Sequence, residues 1–377
     1  YVNKILAEAF IKKVSDIHIE PYEKTFRVRY RIDGSLVESA KPPRNLMLPI
    51  VSRLKIMANL DIAEKRVPQD GRTQIKIAGV TLDIRVSSLP TYYGERIVMR
   101  ILMQSDDIPT LEDLGFEDEE ITLFRELLKH SNGLLLVTGP TGSGKSTTLH
   151  TFLQEVASPY KNIITVEDPV EYKADNINQI QVNTKVGLTF ASGLRSILRQ
   201  DPDVIMIGEI RDSETAEIAV QSALTGHLVL STLHTNNSTA SIARLVDMKV
   251  EHFLIGSSLL GVLAQRLVRT LCNCKEEDFI AEEYADEFDL PVNSRIFKPK
   301  GCTKCNFTGY SGRKAVGEMF VIDDEVQSLI KDSSDDYQIR ALMAKKGMNF
   351  LSDKLKKLLL NHTTSLEEVI RVGIKDA

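Results

Sequence analysis

Along the first hundred positions, apolar residues recur at two different periods. Ile5, Leu6, Ala9 and Phe10 fall on one face of a helix. Residue 1 already lies inside that pattern, so the natural protein is expected to begin further upstream. Residues 26–32 (FRVRYRI) alternate apolar and basic positions and turn at Asp33 and Gly34, which predicts a hairpin strand. A helix is expected over 49–59, and Gln69 to Gly71 reads as a turn. Residues 80–86 and 97–101 alternate again, which presents Arg85 and Arg100 to solvent opposite an apolar face. These signals predict a small α+β domain over 1–104.

A polar, proline-bearing segment follows, and a linker is expected over 105–113. Beyond it, short apolar runs at 134–138, 163–166, 204–207 and 228–232 alternate with helical patterns, as in an α/β domain built on a largely parallel sheet. The expected divisions are an α/β core over 114–271, a cysteine-bearing subdomain over 272–312 and a C-terminal helical subdomain over 313–377. Short helices are expected from Gly312 onward, with Ser365 and Glu368 forming a capping box for the last.

A chain of 377 residues suggests two or three domains, and 42% hydrophobic with 26% charged residues is ordinary for a soluble globular protein. No run approaches the roughly 20 apolar residues that span a bilayer, and the first residues lack a basic-then-apolar leader, so a cytoplasmic protein is expected. The formal net charge of −5 argues against nucleic acid as the main partner.

The candidate chemistry begins at 139–146 (GPTGSGKS), which fits G-x-x-x-x-G-K-[ST] between an apolar strand and a helix expected over 147–156. Gly139, Pro140, Thr141, Gly142, Ser143 and Gly144 would aim backbone N–H groups at phosphate oxygens, with Thr147 opening the helix behind them. Lys145 would reach the β- and γ-phosphates, and the Ser146 hydroxyl would ligate Mg²⁺. Residues 203–212 (DVIMIGEIRD) form an apolar strand ending in an acid, the arrangement of a Walker B strand beside a P-loop. Glu209 at its end could orient or deprotonate the attacking water.

Four other groups admit a functional and a bland reading. Glu167 and Asp168 could hold the Mg²⁺ hydration shell, or could form a solvated turn before Pro169. His227 and His234 bracket a strand at an odd offset, which excludes a metal pair on one strand face. His234 either senses a γ-phosphate or is structural. Arg195 and Arg199, four apart on an expected helix, could clamp phosphate or form a solvated basic face. Cys272, Cys274, Cys302 and Cys305 suggest a Zn²⁺ knuckle in a cytoplasmic chain, with reduced thiols as the alternative, and the C-x-C spacing of the first pair is out of step with the usual C-x-x-C.

Taken together, 15–21 (SDIHIEP), 31–34 (RIDG), the P-loop, 167–172 (EDPVEY), 208–212 (GEIRD) and 225–236 (TGHLVLSTLHTN) resemble the secretion ATPase superfamily. Residues 190–203 and 257–272 are most similar to its type II secretion members, with pilus assembly and retraction ATPases as close competitors. The resemblance implies a RecA-like P-loop domain with a smaller N-terminal domain, ATP and Mg²⁺ bound between them, and homo-hexamers on the cytoplasmic face of the bacterial inner membrane. It puts an acidic box at Glu167 to Glu171, a catalytic carboxylate at Glu209 and a histidine box at His227 to His234. Phosphate-contacting arginines fall at Arg85, Arg100, Arg195 and Arg199, and Lys145, Glu167 and His234 join Glu209 in catalysis. The implied work is ATP hydrolysis that drives pseudopilus assembly and protein export through inner-membrane platform proteins, which an upstream domain would dock. A nucleic-acid translocase is the alternative of another class.

Overall fold

The computed structural model describes residues 1–103, 108–288, 290–332 and 336–373, and the chain divides into two compact units, Tyr1–Asp106 and Asp107–Ala377. Of the expected linker, residues 105–107 lie outside those described.

The first unit runs α1 (Val2–Ile11), β1 (Asp16–Pro21), β2 (Phe26–Ile32), β3 (Ser35–Ala40), α2 (Met47–Met57), β4 (Gln69–Ile77), β5 (Val80–Thr91) and β6 (Gly94–Met103). The strands pair antiparallel in the order β3-β2-β1-β6-β5-β4. One face is apolar because the sequence alternates: Ile17, Ile19, Val28, Tyr30, Ile84, Val86, Ile97 and Met99 pack with Ile5, Leu6 and Ala9 of α1 and Ile50, Val51 and Leu54 of α2. The β2–β3 turn falls at Asp33 and Gly34 as expected, both with positive φ. Gln69 to Gly71 is not a turn; it opens β4. A Cβ at Gly71 would lie 2.3 Å from the Ala58 carbonyl oxygen, so glycine serves close backbone approach there.

The second unit begins with α3 (Leu111–Leu114), α4 (Asp118–Leu127), β7 (Gly133–Thr138), α5 (Lys145–Val156), β8 (Ile163–Glu167), β9 (Asn178–Gln181) and α6 (Phe190–Ile197). It continues through β10 (Val204–Ile207), α7 (Ser213–Leu224), β11 (Leu228–Leu233), α8 (Ala240–Asp247), α9 (His252–Ser258) and β12 (Leu259–Leu271). Next come β13 (Glu276–Phe279), α10 (Glu282–Glu287), β14 (Arg295–Lys298) and β15 (Tyr310–Val321), then α11 (Asp324–Lys331), α12 (Asp336–Lys345), α13 (Leu351–Leu360) and α14 (Leu366–Val372).

The main sheet has the order β15-β12-β7-β11-β10-β8-β9, with parallel pairing from β12 to β9 and β15 antiparallel at the edge. Leu134, Leu136, Ile205 and Ile207 enter one core, and Leu135, Val137, Val204 and Met206 enter another, so helices cover both faces. The strand that leads to Glu209 is separated from the P-loop strand by one strand, because β11 lies between β7 and β10. One expectation needs correction. The segment from Gly312 does not begin with helices, because residues 315–321, apolar but for Gly317 and a buried Glu318, extend β15 along β12. Ser365 caps α14 by accepting from the Glu368 N–H at 3.2 Å, but the Glu368 carboxylate pairs with Arg269 and Arg371 and does not complete the box.

Among the described residues, no helix is long and apolar enough to cross a membrane.

Candidate nucleotide site

The loop between β7 and α5 takes its shape from glycine. Gly139, Gly142 and Gly144 all have positive φ, and a Cβ at Gly139 would lie 2.4 Å from the Gln265 carbonyl oxygen. Pro140, Thr141 and Gly142 are exposed at its crest, and Ser143 is buried beneath it. Helix α5 starts at Lys145, two residues earlier than the sequence suggests, so Lys145, Ser146 and Thr147 form its first turn. The Lys145 ammonium curls back and donates to the carbonyl oxygens of Gly139 at 2.8 Å and Pro140 at 3.0 Å. Burial pushes its pKa down to about 8; Glu209 and Glu171 oppose the shift and Arg266 adds to it. Ser146 is exposed, and the Thr147 hydroxyl lies 2.9 Å from that of Tyr172. Ser146 thus offers an accessible hydroxyl oxygen of the hard kind that Mg²⁺ takes.

Glu209 follows β10 by two residues and emerges at the carboxyl edge of the sheet, the same edge as the P-loop. Arg211 donates to one of its oxygens at 2.5 Å, and His234, just past β11, places Nε2 3.4 Å from the other. His227 stands at the opposite end of β11, where its carbonyl accepts from the Gly133 N–H at 3.1 Å, and the six residues of β11 at ~3.3 Å each separate it from His234. Only one histidine of the bracketing pair reaches this edge.

Glu167 is buried and fully engaged. It accepts from Thr165 Oγ1 at 2.6 Å and Gln179 Nε2 at 3.1 Å, and His150 Nε2 lies 3.0 Å away. Asp168 and Glu171 are exposed beside it. Arg195 pairs with Glu214 at the start of α7. Arg199 lies beyond the end of α6, not on a shared helical face, and its guanidinium donates to the Arg195 carbonyl at 2.8 Å. In the first unit, Arg85 and Arg100 are direct cross-strand neighbours, and Arg100 Nε donates to Asp16 at 2.9 Å.

Two residues that the sequence reading passed over brace this edge of the sheet, Gln265 at the P-loop and Arg266 at the segment after β11. The Gln265 amide on β12 donates to the Ser143 carbonyl at 2.8 Å and accepts from Thr148 Oγ1 at 2.8 Å, while Arg266 donates to the Asn236 carbonyl at 2.7 Å. The signal was available: a buried polar pair inside the apolar run 259–271.

The four cysteines converge, with all four sulfurs within 4.8 Å of one another. Cys272 to Cys302, Cys274 to Cys305 and Cys302 to Cys305 measure 3.9, 3.8 and 3.7 Å. Tetrahedral thiolates at about 2.3 Å from a zinc ion stand about 3.8 Å apart, so the donor set fits, Cys274 included. The N–H groups of Cys302 and Gly309 point at Cys305 Sγ, at 3.1 and 3.3 Å.

Residues 1–371 match the type II/IV secretion system protein family. The chain belongs to that family. It is 51% identical over 372 residues to the type II secretion system protein E of Dickeya dadantii, covering 98% of this chain and 74% of that protein. It is equally 51% identical over 374 residues to the type II secretion system ATPase E of Vibrio cholerae, with the same coverage. Among solved structures, the pilus retraction motor PilT with bound ADP aligns at TM-score 0.66 and 25% identity over 99% of this chain and 97% of that one. The ATPase DotB of Legionella pneumophila shares the mixed α/β fold at TM-score 0.72 and 21% identity, over 98% and 94% of the two chains. These similarities favour the type II secretion branch of the family over pilus assembly.

Proposed function

We propose that this chain hydrolyses ATP to ADP and phosphate as the motor of a type II secretion system, working as a homo-hexamer that powers pseudopilus assembly and protein export. The observation that carries the reading is the meeting of three groups at one sheet edge. The P-loop bears Lys145, β10 ends at Glu209, and His234 stands 3.4 Å from that carboxylate. In this reading the loop N–H groups and Lys145 hold the phosphates, Glu209 orients water, and His234 responds to the terminal phosphate through Glu209. Arg85 and Arg100 contact phosphate from the RecA-like domain's smaller N-terminal partner, and Arg195 and Arg199 do so from the larger one. Ser146 is the hydroxyl ligand for Mg²⁺, which when bound would neutralise phosphoryl charge. Glu167, sequestered by His150, Thr165 and Gln179, acts by holding that wall of the site. The four cysteines hold one Zn²⁺ as a local staple over 272–312. The motor works at the cytoplasmic face of the inner membrane on platform proteins.

Phosphate release from saturating Mg²⁺-ATP is the test. Lys145→Ala should lose most nucleotide affinity, and Glu209→Gln should retain bound ATP without turnover. Near-normal hydrolysis by Glu209→Gln would overturn the catalytic assignment.

A further inference from the structure

His234 meets Glu209 with an exposed imidazole, so the backbone that carries the ring, and not packing around it, sets where it stands. That backbone, residues 234–238, is gripped from three adjacent strands. Thr138 at the end of β7 accepts from the Thr235 N–H at 2.9 Å, and Arg266 on β12 donates to the Asn236 carbonyl at 2.7 Å. Glu318 on β15 accepts from the Ser238 N–H at 2.9 Å and from the Ser238 hydroxyl at 2.8 Å. Strand register explains the convergence. Thr138 is directly opposite Ala264 and Ala264 directly opposite Glu318, so these three share a row and a face, with Arg266 one step along on that face. Glu318 is the member that packing does not call for, a carboxylate 1% exposed, and burial at that depth costs stability unless donors meet it. Its other oxygen accepts from the Leu351 N–H at 3.1 Å, at the first residue of α13, where Phe350 supplies no side-chain acceptor and a negative charge suits the helix dipole. One buried side chain therefore joins the segment bearing His234 to the start of α13.

We propose that Glu318 is a positioning residue for hydrolysis, one that fixes residues 234–238 so that His234 stands against Glu209 and that carries the state of this sheet edge, through the Leu351 N–H, into α13. The inference rests on the reading in which Glu209 and His234 act at the terminal phosphate. Each carboxylate oxygen has its own task, which makes the two arms separable. Glutamine at 318 can accept at only one end of its amide, so it keeps one arm and loses the other, and alanine loses both. Leu351 is the first residue of α13, a position that tolerates proline, and Phe350 before it is already extended at φ −73° and ψ 166°, as a residue preceding proline should be. Leu351→Pro thus deletes the N–H while sparing the helix, and Leu351→Ala loses the buried leucine side chain but keeps the N–H.

The test joins steady-state ATP hydrolysis to amide hydrogen exchange of the full chain, with and without the non-hydrolysable analogue Mg²⁺-AMP-PNP, for wild type, Glu318→Ala, Glu318→Gln, Leu351→Pro, Leu351→Ala and His234→Ala. Below all unfolding transitions, Glu318→Ala should lower kcat about 10-fold and leave KM within about 2-fold, because Gln265 on the other face of β12 holds the P-loop independently. In wild type, AMP-PNP should slow exchange at 234–238 and across α13 together. Leu351→Pro should keep the first response and lose the second, Leu351→Ala should keep both, and Glu318→Gln should keep one. A lowered unfolding midpoint with wild-type kcat in Glu318→Ala overturns the positioning role. Equal slowing across α13 in Leu351→Pro and Leu351→Ala overturns the link to that helix. If Glu318→Ala does not fold, kcat in Glu318→Gln and exchange in the Leu351 pair make the same decisions. Wild-type turnover in His234→Ala instead overturns the reading of His234, and the link to α13 then stands or falls on exchange alone.

Discussion

Lys145 is where local sequence and buried environment meet most directly. Its place in the P-loop was legible because the motif is contiguous and its glycines fix the backbone locally; its depressed pKa was not, because that comes from burial beside β12. With a folded-state value of about 8 against an ordinary 10.5, the unfolded chain binds more protons between those limits, so this group makes the free protein more stable as pH rises through that window. Bound phosphate charge favours the ammonium, so nucleotide binding should take up protons above about pH 8 and weaken as pH rises towards 10. Calorimetry of ADP binding at pH 8.5 in buffers of different ionisation enthalpy measures this directly, and no net uptake would refute it. Glu167 makes the contrasting case. Its three partners arrive from α5, β8 and β9, so sequence could show an acid at a strand end but not its sequestration. Glu167→Ala should strand buried polar groups and cost about 1–3 kcal/mol in urea unfolding, while Glu209→Gln, which keeps a carbonyl oxygen for the exposed Arg211, should leave the midpoint nearly unchanged.

At the scale of elements, the informative strand is β12. The sequence pattern located β7, β8, β10 and β11 to within a residue or so, because strands buried on both faces read as short apolar runs. It could not order them, so the insertion of β11 between β7 and β10 and the return of β15 along β12 came only with the sheet. Gln265 gives that arrangement a consequence: one side chain on β12 fixes both the P-loop and the first turns of α5. Gln265→Ala should lower stability by about 1–3 kcal/mol and weaken ADP binding together, since Ser143 and Thr148 lose their partner in a buried site. Gln265→Glu should fare no better, because a carboxylate cannot donate to the Ser143 carbonyl. The cysteine cluster shows the opposite limit of sequence reading. The C-x-C spacing cast doubt on Cys274, yet the fold returns its sulfur to 3.8 Å from Cys305. Elemental analysis of fresh protein should find one Zn²⁺ per chain, and Cys274→Ser should lose metal as Cys305→Ser does. Four freely titrating thiols with no metal would refute the site.

At the scale of the whole molecule, the question is whether the N-terminal unit takes part in the hydrolysis proposed for the other. Stability and turnover should separate two neighbouring arginines. Arg100 is paired with buried Asp16, so Arg100→Ala leaves that carboxylate with the Ser15 hydroxyl at 2.9 Å and Arg31 at 3.7 Å and should cost about 1 kcal/mol of stability. Arg85 is opposite two other guanidinium groups, so Arg85→Ala relieves repulsion and should leave the unfolding midpoint unchanged or slightly raised. If both act on phosphate, each variant should nevertheless lower kcat by at least ~10-fold, about 1.4 kcal/mol of lost transition-state stabilisation, with ADP affinity nearly intact. A purely structural role predicts a different pattern, in which turnover follows stability and only Arg100→Ala is impaired. Lysine at either position should rescue poorly, because an ammonium keeps the charge and lacks the fork. Steady-state kinetics and thermal unfolding on the same preparations decide between the two. Wild-type turnover in both alanine variants would confine hydrolysis to the P-loop unit, and the strand register of the N-terminal sheet would then have no part in the motor.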